Sequence, residues 1–325
     1  MNPLISIIIP NFNREHLISE TLESVRNQTY EHWECIIVDD HSTDESWAVV
    51  EKFCESDERF KQVKRPNSLM KGACGCRNYG FELSKGTYIN WFDSDDIMLP
   101  QKLEKQILAA EHNKSDLVVC QTQFFEHQVT NIKHFWNTTF TPKYDPLTDY
   151  ITFRLAWSPN AALWKKSFLE NKKLFDPVLT SSQDWEFNIR LLTFNPSFSF
   201  ESEIFVLNRI HSKRIGALNT MQQKSMRLTS RLNIFDDLKE KNILNNEIKG
   251  YFKSFFLNQL NYFYNKQEFL NSTLFPAIKS STTIGNWYFN IFPRIVIYLI
   301  FFRIFGKRHL TYKYLIKQKI NEGRI

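Results

Sequence analysis

The chain has 325 residues, 42% hydrophobic and 23% charged, with no low-complexity tract; this excludes wholesale disorder and allows one large domain with an appendage. The net charge of +6 is unevenly placed: eight Lys/Arg and one acid lie between Arg294 and the C-terminus, and the rest is close to neutral. The basic character therefore belongs to the tail, and no nucleic-acid partner is expected.

Residues 4–9 (LISIII) are β-branched and continuously apolar, which suits a strand buried on both faces. Pro10 breaks this run and no basic region precedes it, so it reads as a strand and not as a signal peptide. Residues 15–28 carry Leu17, Ile18, Leu22 and Val25 at helical spacing. A second buried strand, 33–38, ends in Asp39 and Asp40, and a helix through Phe53 follows. A short strand at 60–63, a helix at 76–83, a strand at 88–92, a helix at 103–112 and a strand at 117–121 continue the alternation. Strands alternating with helices imply parallel βαβ units, and ligands in such sheets bind beyond the carboxyl ends of the strands. The residues at those ends are 10–13, Asp39–Asp40 and 93–96, three polar clusters on one sheet edge.

The stretch 86–96 (GTYINWFDSDD) stands out: an apolar strand runs straight into Asp93, Asp95 and Asp96. Clustered acids at a buried strand end need an offset, from a divalent cation, an arginine or a helix N-terminus. Asp93 and Asp95 are two apart and point the same way in an extended segment. Capping of a helix beginning near Pro100 by Asp95 or Asp96 is the plain alternative. Neither GxGxxG nor GxxxxGK[ST] is present. A nucleotide held here would therefore rely on side chains and a bridging Mg2+ or Mn2+. The five cysteines are odd in number and lack zinc-type spacing; they read as reduced thiols of a cytosolic protein, with Cys74 and Cys76 as small packing residues.

The motifs ISIIIPNFNREHLISETLESVRNQTY, WECIIVDDHSTDES, GACGCRNYGFELSKGTYINWFDSDD, PNAALWKKSFLE, KLFD, QDWEFNIRL and NRIHS follow in order across about two thirds of the chain. Together they resemble the inverting family 2 glycosyltransferases of bacterial surface-polysaccharide type. The resemblance implies an α/β fold of GT-A type: a mostly parallel central sheet flanked by helices, with a C-terminal helical appendage. It implies a nucleotide-sugar and catalytic domain at 1–215, a helical appendage at 216–290 and a basic amphipathic tail at 291–325. By position, Asp39 resembles the acid that bonds the nucleotide base, with Pro10, Asn11 and Asn13 in the loop beside it. Asp93, Ser94 and Asp95 resemble the DxD segment, with Asp93 near the ribose and Asp95 on the metal. Asp184 resembles the catalytic base, and His211 the late histidine that approaches metal or diphosphate. Arg77 is either a diphosphate contact or a structural partner of the Asp cluster. Two departures stand out: Gln183 where the family commonly has Glu, and Met70, Lys71 and two cysteines before Arg77 where it has small residues.

Residue types alone leave Asp184 open as a first-turn acid of a helix at 185–192, and His211, after a strand at 204–210, as a solvated loop residue. Glu186 faces away from Asp184 on that helix. Residues 124–150 have no clear period and lie where an acceptor loop would be. Helices are expected at 221–239, at 246–264 and near Glu268. Residues 291–305 are too short to span a bilayer, which takes about 20 residues; their aromatics and flanking Arg/Lys suit the interface of an anionic cytoplasmic leaflet. The expected function is metal-assisted transfer of a sugar, from a UDP-sugar or similar donor, to a glycan or lipid-linked acceptor at the inner face of the cell membrane. Two alternatives stand beside it. One is a catalytically degenerate binding module of the same fold. The other is a sugar-phosphate nucleotidyltransferase, which lacks support because no Gly-rich triphosphate loop follows the first strand.

Overall fold

The two N-terminal apolar runs become the buried centre of one sheet. β1 (Ile5–Asn11) and β2 (Trp33–Asp39) are buried along their whole length. The computed structural model describes residues 2–126, 128–135, 142–210 and 221–265. Its first half alternates strand and helix: β1, α1 (Ile18–Arg26), β2, α2 (Ser46–Ser56), β3 (Phe60–Lys64), α3 (Ala73–Leu83), β4 (Tyr88–Trp91), β5 (Ile97–Met98) and α4 (Lys102–Asn113). The second half is less regular: β6 (Leu117–Glu126), β7 (Gln128–Phe135), α5 (Pro146–Ile151), a 3-10 turn (Pro159–Ala161), β8 (Ala162–Lys165), α6 (Lys166–Leu169), α7 (Gln183–Leu192), β9 (Phe198–Ile210), α8 (Met221–Glu240) and α9 (Asn246–Asn265).

The strands form one mixed sheet in the order β3-β2-β1-β4-β8-β6-β9-β5, with β7 paired to β6. β3, β2, β1 and β4 are mutually parallel. β8 runs antiparallel between β4 and β6. β9 is again parallel to β6, so the main strand direction resumes beyond the reversed strand. Because β8 is reversed, its beginning lies at the same sheet edge as the ends of β1, β2 and β4.

Helix and strand meet without space for larger side chains where α3 and the following turn cross β1. A Cβ on Gly80 would lie 2.3 Å from Ile8 Cγ2, and one on Gly86 would lie 2.5 Å from the Ser6 nitrogen. Below the sheet edge runs a buried polar chain. Lys102 Nζ donates to Asn90 Oδ1 at 3.0 Å, and Asn90 Nδ2 donates to the carbonyl of Ala162 at 2.8 Å. Gln106 Nε2 donates to the carbonyls of Val118 and Ala161. Burial pushes the Lys102 ammonium down to about 8. These bonds satisfy backbone groups that the reversal at β8 would otherwise orphan.

Several elements differ from the sequence expectation. β6 continues to Glu126, beyond the apolar run, because Gln121, Thr122 and Gln123 are buried polar residues paired in the sheet. The aperiodic segment after Phe124 contains β7 and α5. Helix α4 starts at Lys102 behind Gln101, and Gln28 Oε1 accepts from its Leu103 amide at 3.1 Å, so neither Asp95 nor Asp96 caps it. The chain divides into two compact units at Ser230/Arg231. Within the second, Phe235, Phe252 and Phe256 are buried, with Phe235 edge-on to Phe252 at 5.2 Å. The helix expected near Glu268 and the tail 291–325 lie outside the described residues. Among the described residues no helix is long and apolar enough to cross a membrane, and no disulfide occurs.

Glu34 in β2 ties three segments together. Its carboxylate accepts from Ser6 Oγ (2.7 Å), the Lys85 amide (2.6 Å) and Lys61 Nζ (2.7 Å). Burial alone would raise this carboxyl, but the bonds from Lys61, Lys85 and Ser6 outweigh it and hold it below its ordinary value of 4.5. A depressed folded-state value contributes stability above the unfolded-state value, and that contribution is lost as pH falls through the folded one. Glu34→Gln should therefore lower the urea midpoint at neutral pH. The gap to wild type should close as pH is brought from 4.5 down through the lowered value. A gap independent of pH would assign the effect to shape alone.

Candidate active site

The ends of β1, β2 and β4 and the start of β8 bring three groups of polar side chains to one edge. The first sits at β1 and β2, whose register pairs Asn11 with Asp39. Both are buried. Asn11 Nδ2 donates to Asp39 Oδ2 at 3.0 Å. The Ser42 amide and hydroxyl donate to Asp39 at 2.8 and 2.6 Å. Asn11 Oδ1 is buried without a hydrogen-bond partner, an acceptor that a ligand N–H would satisfy. Pro10 pairs with Val38 inside the sheet, so it shapes the strand end from below. Asn13, at a φ of 50°, accepts from the Thr43 amide at 2.8 Å and so ties the first loop to the second. Asp40 holds Arg65 at 2.5 Å and the Gly72 amide at 2.9 Å, anchoring the 65–72 loop beside the site.

The second group is the acid cluster after β4, and its three carboxylates have different partners. Asp93 accepts from Arg77 Nη2 at 2.7 Å, while its amide donates to Asn160 Oδ1 at 2.9 Å. Asp95 pairs with Arg14 Nε at 3.2 Å. Asp96 is buried and accepts from the Arg209 amide at 2.7 Å and Asn160 Nδ2 at 2.5 Å. Its carbonyl takes the Thr21 hydroxyl at 2.9 Å. Asp96 thus locks β4 to α1, β8 and β9, whereas Asp93 and Asp95 keep partly exposed carboxylates. Ser94 between them is buried.

Asp184 makes the third group. It stands in the first turn of α7, after Ser182 in the left-handed region at a φ of 62°. Arg77 Nη1 lies 3.5 Å from its carboxylate. One buried guanidinium therefore faces Asp93 and Asp184 together. Burial would lower its pKa, but the two carboxylates outweigh this and raise it, so Arg77 stays charged. Of its two readings, the structure displays the partner of the Asp cluster. Glu186 is buried in a two-pronged pair with Arg190, at 2.7 and 3.0 Å, and has no part in the edge. Gln183 donates to the Leu179 carbonyl at 2.7 Å, so its amide serves the loop. Burial pushes the Cys74 and Cys76 thiols up to about 12, which agrees with packing residues.

No three His, Cys, Asp or Glu side chains gather as a metal set among the described residues. Mg2+ and Mn2+ are nevertheless held by one or two carboxylates together with phosphate oxygens and water. The partly exposed carboxylates of Asp93 and Asp95 fit that mode. His211 lies outside the described residues.

Asn160, Arg209, Arg14 and Ser42 belong to this edge, although the sequence reading gave none of them a role. Asn160 sits inside an aromatic and aliphatic motif and is wholly buried, which no local sequence signal announces.

Residues 6–171 match the family model described as Glycosyl transferase family 2. An uncharacterized glycosyltransferase of Methanocaldococcus jannaschii is 28% identical over 65% of this chain and 72% of its own. The UDP-Glc:alpha-D-GlcNAc-diphosphoundecaprenol beta-1,3-glucosyltransferase WfgD of Escherichia coli is 44% identical over 32% of this chain and 40% of its own. Among solved structures, S. aureus TarS 1-349 with UDP-GlcNAc aligns over 86% of this chain and 80% of its own, at a TM-score of 0.66 and 18% identity. A mannosyltransferase from Pyrobaculum calidifontis, with GDP-Man and Mn2+, aligns over 95% and 89%, at a TM-score of 0.55 and 14% identity. The two structures share the GT-A type of fold with this chain.

The different partners of the acids lead to different costs. In Asp96→Asn, an amide N–H2 must face the Arg209 N–H or the Asn160 N–H2, and a buried unmatched donor costs about 1–3 kcal/mol. In Asp95→Asn, the retained carbonyl still meets Arg14, and the loss should stay below about 1 kcal/mol. Urea denaturation without nucleotide or metal separates the two. Equal losses would mean that Asp96 has no special structural part.

Proposed function

The chain belongs to glycosyl transferase family 2, and from that premise we propose that it moves one sugar, with inversion, from a nucleoside-diphosphate sugar to a hydroxyl of a glycan or lipid-linked acceptor. The observation that carries the reading is the single guanidinium of Arg77 facing both Asp93 and Asp184. It joins the donor-side carboxylates to the proposed base. Asp39, the Asn11 carbonyl and Asn13 are the proposed base-side contacts, with Phe12 exposed beside them. Ser94 and Pro10 are proposed to border the nucleotide-sugar as well. A UDP-sugar is the proposed donor; WfgD, by its name, uses UDP-Glc, and TarS was solved with UDP-GlcNAc.

The chemistry assigns one task to each side. The acceptor oxygen attacks the anomeric carbon opposite the diphosphate, and its proton passes to the Asp184 carboxylate. The bond from the anomeric carbon to the diphosphate oxygen breaks, and the diphosphate leaves with that electron pair. Asp95, and His211 in the resemblance, would hold a divalent ion, Mn2+ or Mg2+, whose charge would stabilise the leaving diphosphate. Arg77 fixes Asp93 and Asp184 relative to each other without touching the acceptor.

Two substitutions separate the sides. Asp184→Asn keeps shape but cannot take the proton; transfer should fall roughly 10²–10⁴-fold with little change in UDP affinity. Asp95→Asn, or EDTA with wild type, should weaken UDP in calorimetry. Near-normal transfer by Asp184→Asn removes the base assignment, and equal UDP affinity with and without metal removes the ion.

Action at the cytoplasmic face of a membrane is part of the proposal. It rests on the apolar run and basic charges of 291–325 and on the lipid-linked acceptor in the name of WfgD. Removing residues from 293 onward should abolish flotation with anionic liposomes. Equal flotation of the truncated and full-length proteins would exclude the tail as anchor.

A further inference from the structure

Beside Asp184 stands an aromatic pair with no part in the chemistry so far. Trp185 stacks with Phe153, with ring centroids 6.4 Å apart and planes 14° from parallel. Trp185 is buried, whereas Phe153 is 54% exposed. Phe153 also has a φ of 59°. A bulky side chain in the left-handed region is an outlier, and it persists only where the surroundings hold it there.

The surroundings do hold it. Asp149 is wholly buried. Its Oδ2 accepts from the amides of Lys143 (2.6 Å) and Tyr144 (3.1 Å), and its Oδ1 from Arg154 Nε (2.7 Å). Its carbonyl accepts from the amides of Arg154 and Leu155 at 2.9 and 3.1 Å, and the Phe153 amide donates to Tyr150 at 3.2 Å. The Arg154 guanidinium lies 4.5 Å over the ring of Tyr144, itself 45% exposed. The unit is fastened to α7 by Asn188 Nδ2, which donates to the Tyr150 hydroxyl at 2.8 Å. One buried carboxylate therefore fixes the residues on both sides of a strained turn. The result is a half-exposed aromatic ring, backed by the residue that follows the proposed base.

We propose that Phe153, backed by Trp185, is the stacking platform for the sugar ring of the acceptor whose hydroxyl meets Asp184. The proposal rests on the reading of Asp184 as general base. A pyranose has an apolar face of C–H groups, which suits the negative face of an aromatic ring. Its rim hydroxyls need polar partners, and Arg154, Tyr144 and Lys143 border the turn. A rigid, two-ring platform also orders few rotamers on binding.

The test uses saturation-transfer NMR and titration with a panel of methyl hexopyranosides and methyl N-acetylhexosaminides, in the presence of UDP and Mn2+. Asn tolerates the left-handed region, so Phe153→Asn removes the ring without backbone strain. Wild type should transfer saturation to the ring C–H protons of at least one glycoside. Phe153→Asn should bind it about five- to tenfold more weakly, and Phe153→Trp should retain it. Should Phe153→Asn fail to fold by circular dichroism, Phe153→Leu keeps an apolar cover on Trp185 without a π face and makes the same comparison. Equal binding with and without the ring, or no glycoside bound by wild type, overturns the platform. So does displacement by octyl phosphate in place of any glycoside, which would assign the face to a lipid chain. UDP titrated into wild type with Mn2+ reports on the reading of the site itself. No UDP binding sinks that reading, whereas UDP binding without a Phe153 effect sinks the platform alone.

Discussion

Three carboxylates within four residues cannot end a buried strand unless each is offset, and the sheet edge is built from the three offsets. Burying an unpaired charge is costly by several kcal/mol even after relaxation, on the order seen for isolated ions in protein interiors. Asp93 is met by Arg77 from α3, Asp95 by Arg14 from the turn after β1, and Asp96 by Asn160 and the Arg209 amide. Each partner comes from a different element. Neutralising the cluster therefore brings α3, the β1 loop, the β8 start and β9 to one place.

The acids are not equivalent, because their offsets differ in kind. Asp96 is buried and accepts from the Arg209 amide and Asn160 Nδ2, which fixes its position. Asp93 and Asp95 receive arginines and stay partly open, so their charge is balanced while an oxygen face remains usable. The reversed strand β8 makes this division possible. The carbonyls of Ala161 and Ala162 at its start accept from Gln106 and Asn90, and Lys102 holds Asn90 in place. Burial lowers the Lys102 pKa to about 8, and the Asn90 amide oxygen accepts from its Nζ there.

The parallel half of the sheet was legible because its signals are local. Residues 4–9 and 33–38 announce buried strands by composition, and the acids follow directly at their ends. Of the other half, 117–121 and 204–210 were legible as strands, whereas β8, β7 and the extensions of β6 and β9 are specified by partners far away in sequence. Thr122 and Gln123 look like loop residues, yet β9 pairs with them. Ala162–Lys165 is too short for a period and is a strand only because β4 and β6 flank it. At the site, acids at strand ends could be picked out singly. Asn160 could not, since nothing local distinguishes an asparagine that spans Asp93 and Asp96 from one in a solvated turn. The pairing of Arg77 with both Asp93 and Asp184 was half visible, because a sequence offers no means of measuring across 107 residues.

The same contrast bears on how the proposed substrates would be held. A nucleoside diphosphate presents a fixed set of polar edges and charges. Short strand-end loops with one side chain per contact can meet it, and such loops leave a motif. An acceptor sugar presents a face, and a face needs a surface assembled from separate pieces. Here α5 is capped by Asp145, the turn after it is pinned by Asp149, and the unit leans on α7 through Tyr150 and Asn188. None of these residues need touch a substrate, and none has a spacing that announces chemistry. What they fix is the direction in which one aromatic ring points relative to one carboxylate. A site of this kind can change its acceptor by altering the turn while Asp93, Asp95 and Asp184 stay where Arg77 and Arg14 hold them.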